Sequence, residues 1–126
     1  MKQTQCNWQC QHTLDAHSAA VVSLDFSPDG RWLASSSIDG TVQLWQLPTT
    51  PSEAVDEGPI LVGHEDFVNA VAFSPRGNCI ASSDSEGRIK LWEWESESGE
   101  ELQTLAAHRK PIEAIAFHPQ GEFLAT

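Results

Sequence analysis

RWLASSSIDGTVQLWQL, residues 31–47, and NCIASSDSEGRIKLWEW, residues 78–94, are two copies of one pattern set 47 positions apart. Self-similarity at a period of a few tens of residues marks a chain built from stacked units, and it is read before any single motif. Placing His17 on His64 carries the alignment through without a gap. Val21 falls on Val68, Leu24 on Val71, Phe26 on Phe73, SPDG on SPRG, Ala34-Ser35 on Ala81-Ser82, Gly40 on Gly87 and Leu44-Trp45 on Leu91-Trp92. A third copy starts at His108, where Ile112, Ile115, Phe117, Pro119, Gly121 and Leu124-Ala125-Thr126 are in register. The intervals of 47 and 44 residues differ only after the tryptophan, where PTTPSEAVDEGP stands in one copy and ESESGE in the next. Loops absorb such differences.

Each unit reads as short strands separated by turns. VVSLDF, VNAVAF and IEAIAF are rich in branched and aromatic residues and run into a Pro-x-Gly turn that cannot continue a strand. RWLASSS and NCIASSD follow, then the turns IDG and SEG, then TVQLWQL and RIKLWEW, which makes a hairpin of the second and third strands. A fourth strand precedes each histidine, in NWQCQHTLDAH, GPILVGH and EELQTLAAH. Along the first strand one parity is large (Leu24 and Phe26, Val71 and Phe73, Ile115 and Phe117) and the other small (Ser23, Ala70, Ala114). That pattern suits a sheet covered on both faces by neighbours.

Composition sets the outer limits. The 126 residues carry 18 acidic and 7 basic side chains, a net charge of −11, which repels phosphate backbones and anionic lipid and argues against nucleic-acid and membrane partners. Glu53, Asp56 and Glu57, and Glu93, Glu95, Glu97, Glu100 and Glu101, fall outside the repeated blocks and read as solvated loops. No apolar run approaches the ~18 residues of a membrane span, and MKQTQCNWQCQHT lacks a secretory signal's apolar segment. Three cysteines at unrelated positions make no disulfide framework, so a cytoplasmic, reducing location is expected. Cys6, Cys10, His12 and His17 have the chemistry of a zinc set, but their spacing fits no common finger, and no metal or other cofactor is expected.

Four antiparallel strands per unit, both faces wanting cover, describe a propeller blade. From about Trp8 to Thr126 the chain resembles the WD-repeat β-propeller family. That family opens each blade with Gly-His and closes its third strand with Trp-Asp. Here the pairs are Ala16-His17, Gly63-His64 and Ala107-His108, then Trp45-Gln46 and Trp92-Glu93, with 28 residues from histidine to tryptophan both times. The expected fold is therefore all-β, made of four-stranded antiparallel blades in an incomplete, open propeller. Residues 5–16 would give the last strand of a closing blade, 17–63 a first blade with a long loop at 48–59, 64–107 a second, and 108–126 the first two strands of a third. Closed rings use four to eight blades, so the expectation is the N-terminal portion of a longer propeller whose remaining blades are a partner.

His17, Ser35 and Asp39 are the residue types of an acyl-transfer triad. Catalysis needs such a set once, yet it recurs at the same intervals, and no Gly-x-Ser-x-Gly elbow is present; no enzyme is expected. A buried indole N–H needs an acceptor, and a hydroxyl, an imidazole and a carboxylate can relay hydrogen bonds onward from it. By resemblance, this structural tetrad falls on His17, Ser35, Asp39 and Trp45, and on His64, Ser82, Glu86 and Trp92, with His108 and Thr126 in the third unit. Glu86 departs from the family's aspartate, and its extra methylene is expected to bend or open the second relay.

The resemblance implies a rigid docking platform for a protein or peptide, a protein–protein interaction scaffold that uses the rim where fourth-to-first and second-to-third strand connections emerge. Its contact positions carry over to Ala20, Val22, Ile38, Phe67, Asn69, Ser85, Pro111 and Glu113. Phe67 would anchor a partner or cover the edge of a neighbouring blade. The alternative is a regulatory or sensing propeller fused to a kinase, protease or nucleotide-switch domain beyond residue 126.

Overall fold

The structure, a computed structural model, describes residues 8–95 and 99–126. Residues 5–7 of the expected opening strand, Cys6 of the zinc set and Glu97 of the second acidic segment lie outside them. The first sheet contains β1 (Val21–Phe26), β2 (Trp32–Ser37), β3 (Thr41–Gln46) and β4 (Asp56–Val62). The second contains β5 (Val68–Phe73), β6 (Ile80–Asp84), β7 (Arg88–Glu93) and β8 (Glu100–Ala106), and β9 (Ala116–Phe117) pairs with β10 (Leu124–Ala125) in a third. Strands follow chain order in the two large sheets, and every pairing is antiparallel. The described residues contain no helix, and so none long and apolar enough to cross a membrane.

The register repeats as the sequence does. Phe26 faces Leu33, Phe73 faces Ile80 and Phe117 faces Leu124, while Trp45 and Trp92 lie opposite Leu33 and Ile80. The turns repeat as well. In each, one residue (Ser27, Ser74 or His118) donates its N–H across the hairpin at 2.8 Å and accepts one from the glycine three places on. Those glycines, Gly30, Gly77 and Gly121, have φ of 73°, 73° and 76°, a conformation that side chains rarely adopt.

Three segments differ from the sequence-based expectation. Residues 8–16 form no strand, because no strand among the described residues lies alongside to pair their backbone groups. The loop expected at 48–59 stops short, since β4 begins at Asp56 and passes through Gly58-Pro59. As the outer strand of its sheet, β4 tolerates a residue without an N–H. Gly58 is needed there for space, as a Cβ would stand 2.6 Å from the Trp32 ring. Asp56 and Glu57, Glu93, and Glu100 and Glu101 thus belong to β4, β7 and β8 and not to loops; Glu93 is half-buried and the other four are exposed. In the third unit IEAIAF contributes only the two residues of β9.

The core lies between the first two sheets, where Val71 and Phe73 of β5 pack with Ala34, Val42, Leu44 and Leu61. At one end Trp94 stands edge-on to both Trp32 and Phe73, with ring centroids 5.3 Å apart in each pair. The small parity of β1 faces this junction and is polar. Asp25 accepts the Phe73 N–H at 2.8 Å and Ser23 accepts the Val71 N–H at 3.4 Å. At the second junction the corresponding residues, Ala70 and Ala72, offer no side-chain acceptor to the shorter β9. The outer parity of β1 departs from the expectation of two covered faces. Leu24 and Phe26 are each 61% exposed, against 5% for Val71 and Phe73, because no sheet among the described residues covers them.

Candidate functional site

The first polar set is assembled by the segment before β1, by β2, by the β2–β3 turn and by β3. Trp45 donates its indole N–H to Ser35 Oγ at 3.0 Å, Ser35 Oγ meets His17 Nε2 at 2.8 Å, and His17 Nδ1 meets Asp39 Oδ2 at 2.9 Å. Asp39 also accepts the Thr41 hydroxyl at 2.6 Å and the backbone N–H groups of Thr41 and Ser18 at 2.9 and 3.1 Å. Burial opposes the charge on Asp39, but these donors, Thr41 and His17 foremost, outweigh it and lower its pKa to about 2. Proton positions follow from the partners. The carboxylate takes the Nδ1 proton, so Nε2 of a neutral imidazole accepts the serine hydroxyl, whose oxygen takes the indole N–H.

The second set is tighter and differs in one member. Trp92 donates to Ser82 Oγ at 2.7 Å, and Ser82 Oγ meets His64 Nε2 at 2.6 Å. The carboxylate on His64 Nδ1, at 2.7 Å, belongs to Asp84. The expectation for Glu86 is corrected here: it is exposed and pairs with Arg88, which also reaches Glu65 at 3.2 Å. Asp84 ends β6 at the place Ser37 takes in the first copy. Ser37 Oγ accepts the N–H two residues on at 3.0 Å, as Asp84 Oδ1 accepts that of Glu86, also at 3.0 Å. Being longer than serine, Asp84 keeps this turn bond and reaches the imidazole too, so the relay is closed. Both side chains of the His64–Asp84 pair are 0% exposed. Burial pushes the His64 imidazole toward its neutral form against the pull of Asp84. It also opposes the charge on Asp84, whose pKa is nonetheless lowered by N–H donors from Arg88, His64 and Glu86. In the sequence the only trace of this is SSD where the first copy has SSS, beside a Glu86 that aligns with Asp39.

In the third unit His108 Nε2 and Thr126 Oγ1 are 2.6 Å apart. Ser35 and Ser82 are buried, and the oxygen of each accepts an indole N–H. Of the zinc set, Cys10 Sγ lies 3.6 Å from the His12 carbonyl and 3.7 Å from Thr13 Oγ1, and His17 is held by Ser35 and Asp39. The described residues contain no group of three His, Cys, Asp or Glu side chains able to hold a metal.

The family model described as "WD domain, G-beta repeat" matches residues 8–46, 57–93 and 99–126. The chain belongs to the WD-repeat family. It is 30% identical to coatomer subunit beta'-2 of Arabidopsis thaliana over 114 residues, 90% of this chain and 12% of that protein. Against coronin-7 of Bos taurus it is 35% identical over 115 residues, again 90% of this chain and 12% of that protein. A shorter match of 41 residues, 56% identical, joins it to Protein Notchless of Drosophila melanogaster, covering 32% of this chain and 8% of that protein. In these three relatives and five others the match spans between 4% and 14% of that protein's length.

WD repeats place the connections before strands one and three at one end of the blades, and the eight expected contact residues lie there. Bulges in β1 and β5 fall at Val22 and Asn69. Ile38 donates its N–H to the Ala20 carbonyl, and Ser85 does the same to Phe67, both at 3.1 Å. Asn69 donates to Ser85 Oγ at 3.0 Å. Ala20, Val22, Phe67, Pro111 and Glu113 are exposed, whereas Ile38, Asn69 and Ser85 are half-buried. Phe67 is 50% exposed. The residue that reading the sequence missed is Trp94, buried at the opposite end with its indole N–H on the Gly77 carbonyl at 3.2 Å.

Proposed function

We propose that this WD-repeat chain is a docking platform for a protein or peptide, and that the partner lies across the rim formed by Ala20, Val22, Ile38, Phe67, Asn69, Ser85, Pro111 and Glu113. WD repeats serve in general as protein-interaction scaffolds, and the family is generally non-enzymatic. What supports the rim is the contrast between an exposed Phe67 and histidine–serine–tryptophan sets whose hydrogen bonds are spent inside the blades. An exposed aromatic on a rigid loop contributes contact area at low entropic cost, and aromatics dominate interface energetics. The structural role of the tetrads belongs to the same reading: they fix the blade so that its loops are held still. The open face of β1, with Leu24 and Phe26, is proposed to receive a further blade, as the same face of β5 receives the first sheet. A reducing, cytoplasmic setting is proposed on the free thiols of Cys10 and Cys79.

The test compares proteins captured by the chain, by Phe67→Ala and by Arg31→Ala, which alters the opposite end. Partners lost with Phe67→Ala and kept with Arg31→Ala, at matched melting temperatures, support the rim. The reverse pattern removes it.

A further inference from the structure

We propose that Thr50, in the connection between β3 and β4, is a phosphorylation site for a proline-directed protein kinase that uses ATP. The inference goes beyond the docking reading and does not depend on it. Three hydroxyl side chains of the chain stand directly before a proline, in Ser27-Pro28, Thr50-Pro51 and Ser74-Pro75. A kinase cleft shaped for that proline leaves the backbone N–H of any other residue buried without an acceptor, so the hydroxyl and the proline are recognised as one unit.

The fold separates the three. Ser27 and Ser74 open the β1–β2 and β5–β6 turns and are only 4% and 2% exposed. Ser27 Oγ is held between the Asp29 carboxylate at 2.6 Å and the Trp32 N–H at 2.9 Å, and Ser74 Oγ accepts the Arg76 N–H at 3.3 Å. Thr50 lies instead in a run, 47–55, that belongs to no strand, and every residue from Thr49 to Ala54 is exposed. Its hydroxyl is 3.4 Å from that of Ser52, and the local turn is closed by the Glu53 N–H on the Thr50 carbonyl at 3.2 Å. A turn so exposed opens at little cost, so this stretch can extend into a kinase cleft while both blades stay folded. Leu47 donates its N–H to the Arg31 carbonyl at 2.8 Å, which roots the connection at the end of the blade away from Phe67. In the transfer, Thr50 Oγ1 bonds to the γ-phosphorus of ATP as the bond from that phosphorus to ADP breaks, and the hydroxyl proton passes to the kinase's catalytic aspartate. The product sets nearly two negative charges beside Glu53, whose carboxylate accepts the Thr49 hydroxyl at 3.3 Å, and the repulsion loosens that contact.

The test incubates the full, folded chain with a purified proline-directed kinase, magnesium and ATP, and locates the phosphate by mass spectrometry. Modification is expected at Thr50 and not at Ser27 or Ser74, and it should be absent from Thr50→Val. The initial rate should fall about ten-fold or more in Pro51→Ala and stay unchanged in Glu53→Gln, all three substitutions lying on the exposed connection, where the melting temperature should not move. Phosphate on Thr49, Ser52 or the two turn serines in place of Thr50, or no incorporation, would overturn the proposal. So would a rate that falls with Glu53→Gln and not with Pro51→Ala, which is the signature of a kinase directed by acidic residues.

Discussion

Replacing Asp84 by asparagine keeps its volume and removes its charge from a site where the side chain is 0% exposed. The carboxylate accepts from His64 Nδ1 at 2.7 Å, from the Arg88 N–H at 2.9 Å and from the Glu86 N–H at 3.0 Å. Hydrogen bonds to a charged acceptor contribute about 1.5–3 kcal/mol net, against about 1 kcal/mol for neutral ones. Asparagine retains one oxygen for the backbone donors at neutral strength and turns an amide donor toward an imidazole N–H. One charge-assisted bond is lost and two are weakened, so the expected destabilisation is about 2–4 kcal/mol. For a chain of this length that corresponds to a fall of about 8–16 °C in melting temperature. Glu86→Gln, on an exposed surface pair, should leave the melt unchanged. Thermal unfolding followed by tryptophan fluorescence measures both variants under one condition. A loss in Glu86→Gln equal to or larger than that in Asp84→Asn would refute the assignment of Asp84 to the second relay.

Trp45→Phe removes the donor to Ser35 and part of a buried ring, and urea titration should show a loss of about 1–3 kcal/mol. Asp39 sets part of the acid limit: its folded pKa of about 2 lies below the ordinary 3.8, so its stabilisation is complete above about pH 4 and is lost as pH falls toward 2. Asp39→Asn should flatten the dependence of stability on pH over that interval, and an unchanged slope would remove Asp39 from the acid transition. Gly30 and Gly87 both have positive φ, but a Cβ on Gly30 meets nothing within 4 Å while one on Gly87 would stand 2.2 Å from the His108 carbonyl oxygen. Gly30→Ala should thus cost only about 1–2 kcal/mol of backbone strain in a thermal melt, and Gly87→Ala clearly more.

The strands facing each other across the two hairpins were legible in the sequence, because alternation, turn glycines and the paired tryptophans all specify one register. The acceptor on His64 was not. A repeat alignment matches positions, and two carboxylates, Asp84 and Glu86, stood two residues apart within reach of one imidazole; only the buried end of β6 decides between them. Strand β4 was obscured by Gly58-Pro59, which reads as a turn unless the strand is known to be an edge. Residues 8–16 carry a strand-like pattern, yet a strand exists only beside a partner. Trp94, the last residue of the repeated block, stands where the first copy has Leu47 and so gave no repeated aromatic signal, and its burial follows from Trp32 and Phe73 meeting across two sheets.

The central claim is that the repeated histidine, serine and carboxylate exist to hold an indole inside each blade. Hydrogen exchange at the indole N–H groups of the uniformly nitrogen-labelled chain tests it most directly. The Trp45 and Trp92 signals should persist after transfer into heavy water, while that of Trp8, 89% exposed, should vanish at once. Exchange at Trp92 as fast as at Trp8 would contradict the account.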